Sequence, residues 1–88
     1  MTTAEVMVAN ALGLHARAAA RFVDLASQFQ AQITVTCRRR AVDGKSILGL
    51  LLLSAARGAT LAIAANGLDE AAAVGALADL VRRGFEEL

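Results

Sequence analysis

Ile33-Thr34-Val35-Thr36-Cys37 alternates apolar and polar side chains. This is the pattern of a strand with one buried face, here Ile33, Val35 and Cys37, and one face turned to water. The rest of the chain switches between this period and the helical one. Glu5 to Ala9 reads as a first strand, with Val6 and Val8 on one face. Ala16 to Phe29 carries an apolar stripe at helical spacing: Ala18, Phe22, Leu25 or Ala26, and Phe29. The arginines Arg38 to Arg40 turn into a short strand near Ala41 and Val42, and Asp43-Gly44-Lys45-Ser46 is a second turn. Ser46 is a candidate N-cap for a short helix from Ile47 to about Leu53. Thr60 to Ala65 is a fourth strand, with Leu61 and Ile63 on one face, ended by Asn66-Gly67. A last helix runs from Asp69 or Glu70 to about Phe85, with Val74, Leu77, Leu80, Val81 and Phe85 as its stripe. Acidic residues at its start suit the helix dipole. The order β-α-β-β-α-β-α predicts an α+β fold: a four-stranded antiparallel sheet with three helices on one face and water on the other.

A chain of 88 residues makes a single domain, 1–88, that buries roughly 60–65% of its unfolded surface. It supports one thin two-layer core rather than a deep enclosed active site. The many alanines, with no Trp or Tyr and three Phe, suit helices packed closely on a sheet. A net charge of +1 gives no strong steering toward nucleic acid or membrane. Arg38 to Arg40 lack interleaved aromatics for base stacking, so a solvated hairpin turn is favoured over nucleic-acid binding. Cys37 is the single cysteine and falls on the inward phase of its strand, as a small hydrophobe rather than a reactive thiol. The N-terminus lacks the basic and apolar regions of a signal peptide. The apolar run from Ile47 to Ala56 is too short to span a bilayer. A cytoplasmic protein is expected, with no cofactor and no metal site.

The chemistry concentrates in Gly13-Leu14-His15-Ala16-Arg17, which holds the only histidine. A neutral imidazole can act as a nucleophile. A helix start offers unpaired amides to an anion, and an arginine adds a permanently charged fork suited to phosphate. Together they point to a phosphorylatable histidine. On these residues alone an ordinary surface or capping histidine is the competing reading.

Gly13-Leu14-His15-Ala16-Arg17-Ala18-Ala19 and Lys45-Ser46-Ile47-Leu48-Gly49-Leu50 resemble the two motifs of the HPr family, the histidine-containing phosphocarriers of the bacterial phosphotransferase system. The resemblance covers essentially the whole chain and implies the HPr-like open-faced β-sandwich. Asn10-Ala11-Leu12-Gly13, the leucines at 50 to 53 and the ending Gly84-Phe85-Glu86-Glu87 look more like NPr, the paralogue of the nitrogen-related branch. The family normally has proline at the position of Ala18, so the chain departs from its pattern there.

The resemblance implies that His15 takes a phosphoryl group on Nδ1 from Enzyme I and passes it to a IIA-type protein. Ala16 and Arg17 would bind the phosphate, with Arg17 also acting in transfer. The chain would then be a carrier and co-substrate rather than a turnover enzyme, and a monomer suits such shuttling. In the short second helix Leu50 with Leu53 would be core. Leu48, Leu51 and Leu52, completed by Ala20 and Ile47, would form a docking patch; the competing reading makes all the leucines core. Ser46 is open to two readings, a plain N-cap or the target of a serine kinase whose phosphate blocks docking. A regulatory protein-binding module without phosphotransfer is a different class of function, and a small-ligand sensor a third.

Overall fold

The computed structural model describes residues 1–86. Its elements come in the expected order: β1 (Thr2–Met7), α1 (Ala16–Ala26), β2 (Gln32–Cys37), β3 (Arg40–Asp43), α2 (Ile47–Leu52), β4 (Thr60–Asn66) and α3 (Glu70–Arg82), followed by a short 3₁₀ turn at Gly84–Glu86. The strands form one antiparallel sheet in the order β1-β4-β2-β3. The register places Ala4, Ile63, Val35 and Val42 side by side in one row. That row faces the helices. The next row, Thr3, Ala64, Thr34 and Asp43, faces away from them, since strand side chains alternate between faces. Phe22, Leu50, Leu61, Ile63, Leu77 and Phe85 are fully buried and make up much of the core, with Cys37 also inside.

Several boundaries depart from the sequence reading. β1 begins at Thr2 rather than Glu5, because Thr2 and Thr3 pair with Ala65 and Ala64 and a strand with one open face tolerates polar residues. It ends at Met7, although Val8 is buried and exchanges hydrogen bonds with the loop before β4, at Ala59 and Gly58. α1 ends at Ala26 rather than Phe29. The amides of Gln28 and Phe29 reach back only three residues, to Leu25 and Ala26, the tighter 3₁₀ pattern common at helix ends. α3 also stops short of Phe85. Gly84 adopts φ +65°, the left-handed conformation that ends many helices, and Phe85 enters the core from that turn at φ +57°.

Asp69 precedes α3 but makes no side-chain cap for it. Its carboxylate instead accepts the amides of Gln30 (2.8 Å) and Ala31 (2.9 Å), tying the start of β2 to the start of α3. Glu70 accepts from the Thr2 hydroxyl at 2.6 Å and from the Gly67 amide at 3.3 Å, and lies 3.0 Å from the Met1 ammonium. The Gln30 amide, first among its partners, holds the Asp69 carboxyl below its usual range. The Thr2 hydroxyl, with the Met1 ammonium, lowers that of Glu70 to about 2. Lowered carboxylates stabilise the fold above their unfolded pKa values and lose that contribution as pH falls through the folded ones. Stability should therefore decline between about pH 4.5 and pH 2. In denaturant titrations across that window, Glu70→Gln should show a shallower decline than the parent chain.

Candidate phosphoryl site

The loop before α1 is fixed by its backbone. Gly13 has φ +67°, and a Cβ there would lie 2.5 Å from the carbonyl oxygen of Ala55. The Leu14 amide donates to that same oxygen at 2.9 Å, and the Leu14 side chain is buried. Asn10, itself buried, donates from Nδ2 to the Gly13 carbonyl at 2.7 Å. The residue after this locked turn is His15.

His15 is half-buried and is the N-cap of α1, with extended backbone at φ −80° and ψ −179°. Its Nδ1 accepts the Arg17 amide at 3.2 Å. A nitrogen that accepts keeps its lone pair, so the neutral ring carries its proton on Nε2. The first intrahelical bond runs from the Ala19 amide to the His15 carbonyl. The amides of Ala16, Arg17 and Ala18 therefore lie ahead of the helical ladder and suit an anion. No acidic residue sits in this first turn to compete for the site. The Arg17 side chain is exposed, and its guanidinium forms no ion pair among the described residues. The structure thus brings His15, Ala16 and Arg17 together at one helix start.

Ala18 lies in that first turn and is fully buried. Its amide has no intrahelical acceptor to lose, and proline has a helical φ built in. Ala18→Pro should stabilise the chain by about 0.4–1 kcal/mol through the unfolded state, read as a rise in denaturant midpoint.

Leu50 on α2 and Leu53 just after it are buried. Leu48 (75% exposed), Leu52 (62%) and Ile47 (41%) face solvent, and Ala20 on α1 is half-buried. Leu51 differs from its expected place near the surface: it is half-buried and packed against the core, because α2 lies against α1. Ser46 caps α2, its Oγ accepting the Gly49 amide at 3.0 Å. Leu12, 72% exposed in the loop before His15, lies outside the docking patch that the sequence suggests. An apolar residue inside the Asn10–Gly13 turn, off any core periodicity, was the available signal. Cys37 is buried. A groove of about 410 Å³ lies at the β2–β3 edge, lined by residues that include Gln32, Asp43 and Lys45 but not His15. Among the described residues no helix is long and apolar enough to cross a membrane.

A half-buried imidazole whose Nδ1 accepts from a helix-start amide, beside an arginine with no ion pair among the described residues, is the kind of site a phosphocarrier needs. The family model described as "PTS HPr component phosphorylation site" matches residues 2–83. The chain is 44% identical to the phosphocarrier protein HPr of Neisseria meningitidis serogroup B over 99% of its own length and 98% of the relative's. It is 41% identical to the phosphocarrier protein NPr of Shewanella violacea, over 94% and 91% of the two chains. HPr-C-His of Thermoanaerobacter tengcongensis superposes with a TM-score of 0.95 at 40% identity, covering 100% and 99% of the two chains. An HPr dimer of the same bacterium gives 0.78 at 40% identity, covering 99% and 100%. The chain belongs to the HPr family of phosphotransferase-system phosphocarriers.

Proposed function

We propose that His15 accepts a phosphoryl group on Nδ1 from phosphorylated Enzyme I and hands it to a IIA-type protein. The observation that supports this is the bond from the Arg17 amide to Nδ1, which leaves a lone pair on Nδ1 beside the helix start. The Nδ1 lone pair attacks phosphorus in line. The bond from phosphorus to the donor breaks, and its electron pair leaves with the donor. Nε2 keeps its proton. Once Nδ1 is bonded to phosphorus, the Arg17 amide is released to donate to a phosphoryl oxygen beside Ala16. The Arg17 guanidinium adds positive charge where transferring oxygens carry negative charge. No elaborate acid–base machinery is required, which suits a shallow site at a helix start in a small cytoplasmic carrier working as a monomer.

Incubation with phosphoenolpyruvate and cognate Enzyme I should give an acid-labile, base-stable phosphoprotein. A binding module without phosphotransfer would give none.

Ile47, Leu48, Leu52 and Ala20 are proposed to dock the partners, with Leu51 supporting them from its half-buried place. Leu48→Asp should cost about 1–2 kcal/mol of docking to Enzyme I while leaving Tm near that of the parent, since the side chain is already in water. A collapse of Tm would instead place Leu48 in the core. Ser46, at the rim of this surface, is the proposed acceptor for a serine kinase, whose phosphate would set charge beside Ile47.

The nitrogen-related branch is the proposed setting. Two of the three NPr-like segments meet at Asn10 and Gly84: a Cβ on Gly84 would lie 3.4 Å from that of Asn10. Glu87, at the end of the last segment, lies outside the described residues. Transfer in parallel to a nitrogen-branch and a sugar-branch IIA protein tests the assignment, and faster transfer to the sugar acceptor would reverse it.

A further inference from the structure

Arg38 and Arg39 form the whole loop between paired Cys37 and Arg40, and both have positive φ (48° and 71°). Such two-residue loops favour Asn and Gly, and a non-glycine residue held in this region carries a backbone cost. A strained turn persists only where the surrounding structure holds it. The Arg38 guanidinium donates to the carbonyls of Leu53 (3.1 Å) and Ser54 (3.2 Å), and the Arg40 guanidinium to that of Leu52 (3.2 Å). These are carbonyls at the C-terminal end of α2. That helix has six residues and no basic residue in its own last turn. Isolated helices this short do not persist in water, and cations bonded to terminal carbonyls favour a helix end. The residue that follows, Ala55, is the one that receives the Leu14 amide.

We propose that Arg38 and Arg40 are positioning residues that clamp the end of α2 and hold its exposed leucines in docking geometry. This rests on the reading of α2 as the docking helix. Arg39 carries the same charge in the same loop but makes no such bond, so it separates the clamp from a general effect of basic charge.

The test compares the parent chain with Arg38→Gln/Arg40→Gln and with Arg39→Gln. Amide hydrogen exchange is read at Leu53 and Ser54, whose amides donate to Leu50 and Leu51, together with KM and kcat for phosphorylation by cognate Enzyme I. If the docking-competent form of α2 falls to between a third and a tenth of the population, KM rises roughly three- to tenfold. The double variant should exchange faster at these amides and show that rise with kcat little changed, because both arginines bond at the end of α2 and not at the phosphoryl site. Arg39→Gln should match the parent in both. Should the double variant be poorly folded, Arg40→Gln alone, which removes one bond, gives the same comparison. Parent-like exchange in the double variant would overturn the clamp, as would an equal rise in KM for Arg39→Gln. Faster exchange with unchanged KM would instead overturn the docking role of α2, and with it the functional reading of the clamp.

Discussion

His15→Ala is expected to accept no phosphoryl group and to be less stable by about 1 kcal/mol, the usual cost of losing an N-cap. The second effect follows from the bond between the Arg17 amide and Nδ1: the imidazole is both nucleophile and cap. The two roles separate in His15→Asn, whose side-chain oxygen can take the cap bond but cannot form a phosphoramidate. That variant should recover stability and remain unphosphorylated. Labelling of either variant at the parent level, with phosphoenolpyruvate and Enzyme I supplied, would remove His15 from the mechanism.

Gly13→Ala should be among the most damaging single-methyl additions in the chain. The new Cβ would meet the backbone oxygen of Ala55 at 2.5 Å, with φ at +67°. Neither the carbonyl nor the dihedral can yield cheaply. Left-handed strain and overpacking together amount to about 2–4 kcal/mol, a fall in Tm of at least about 8 °C for a domain of this size. Relief of the clash would pull the Leu14 amide from Ala55 and shift His15, so the surviving folded protein should also transfer slowly. A Tm close to the parent's would mean that the loop reaches His15 by another path.

Much of this arrangement is legible in the sequence because it is local. His15, Ala16 and Arg17 are neighbours, and a helix start needs only the next few residues to define it. The alternation in Ile33 to Cys37 and the stripe Val74-Leu77-Leu80-Val81 carry their burial in their spacing. What the sequence hides is contact between distant segments. Asp69 reads as a helix-start acid, but its carboxylate is taken by Gln30 and Ala31, more than a third of the chain away. Arg38 to Arg40 read as a solvated turn, although two of the three bond to α2. Phe85 fits the helical stripe four residues after Val81, yet enters the core through a left-handed turn that periodicity cannot reveal. Leu51 has the same composition and neighbours as Leu52. Only the packing of α2 on α1 decides which of them is half-buried.

In the proposed mechanism Nδ1 of His15 is the atom that carries phosphate. Two-bond proton–nitrogen correlation spectra of the imidazole, recorded before and after phosphorylation by Enzyme I, test it most directly. The unphosphorylated neutral ring should hold its proton on Nε2 with Nδ1 as acceptor, and the phosphorylated ring should show the phosphorus coupling at Nδ1. Coupling at Nε2, or a phosphoprotein whose His15 resonances do not change, would contradict the account.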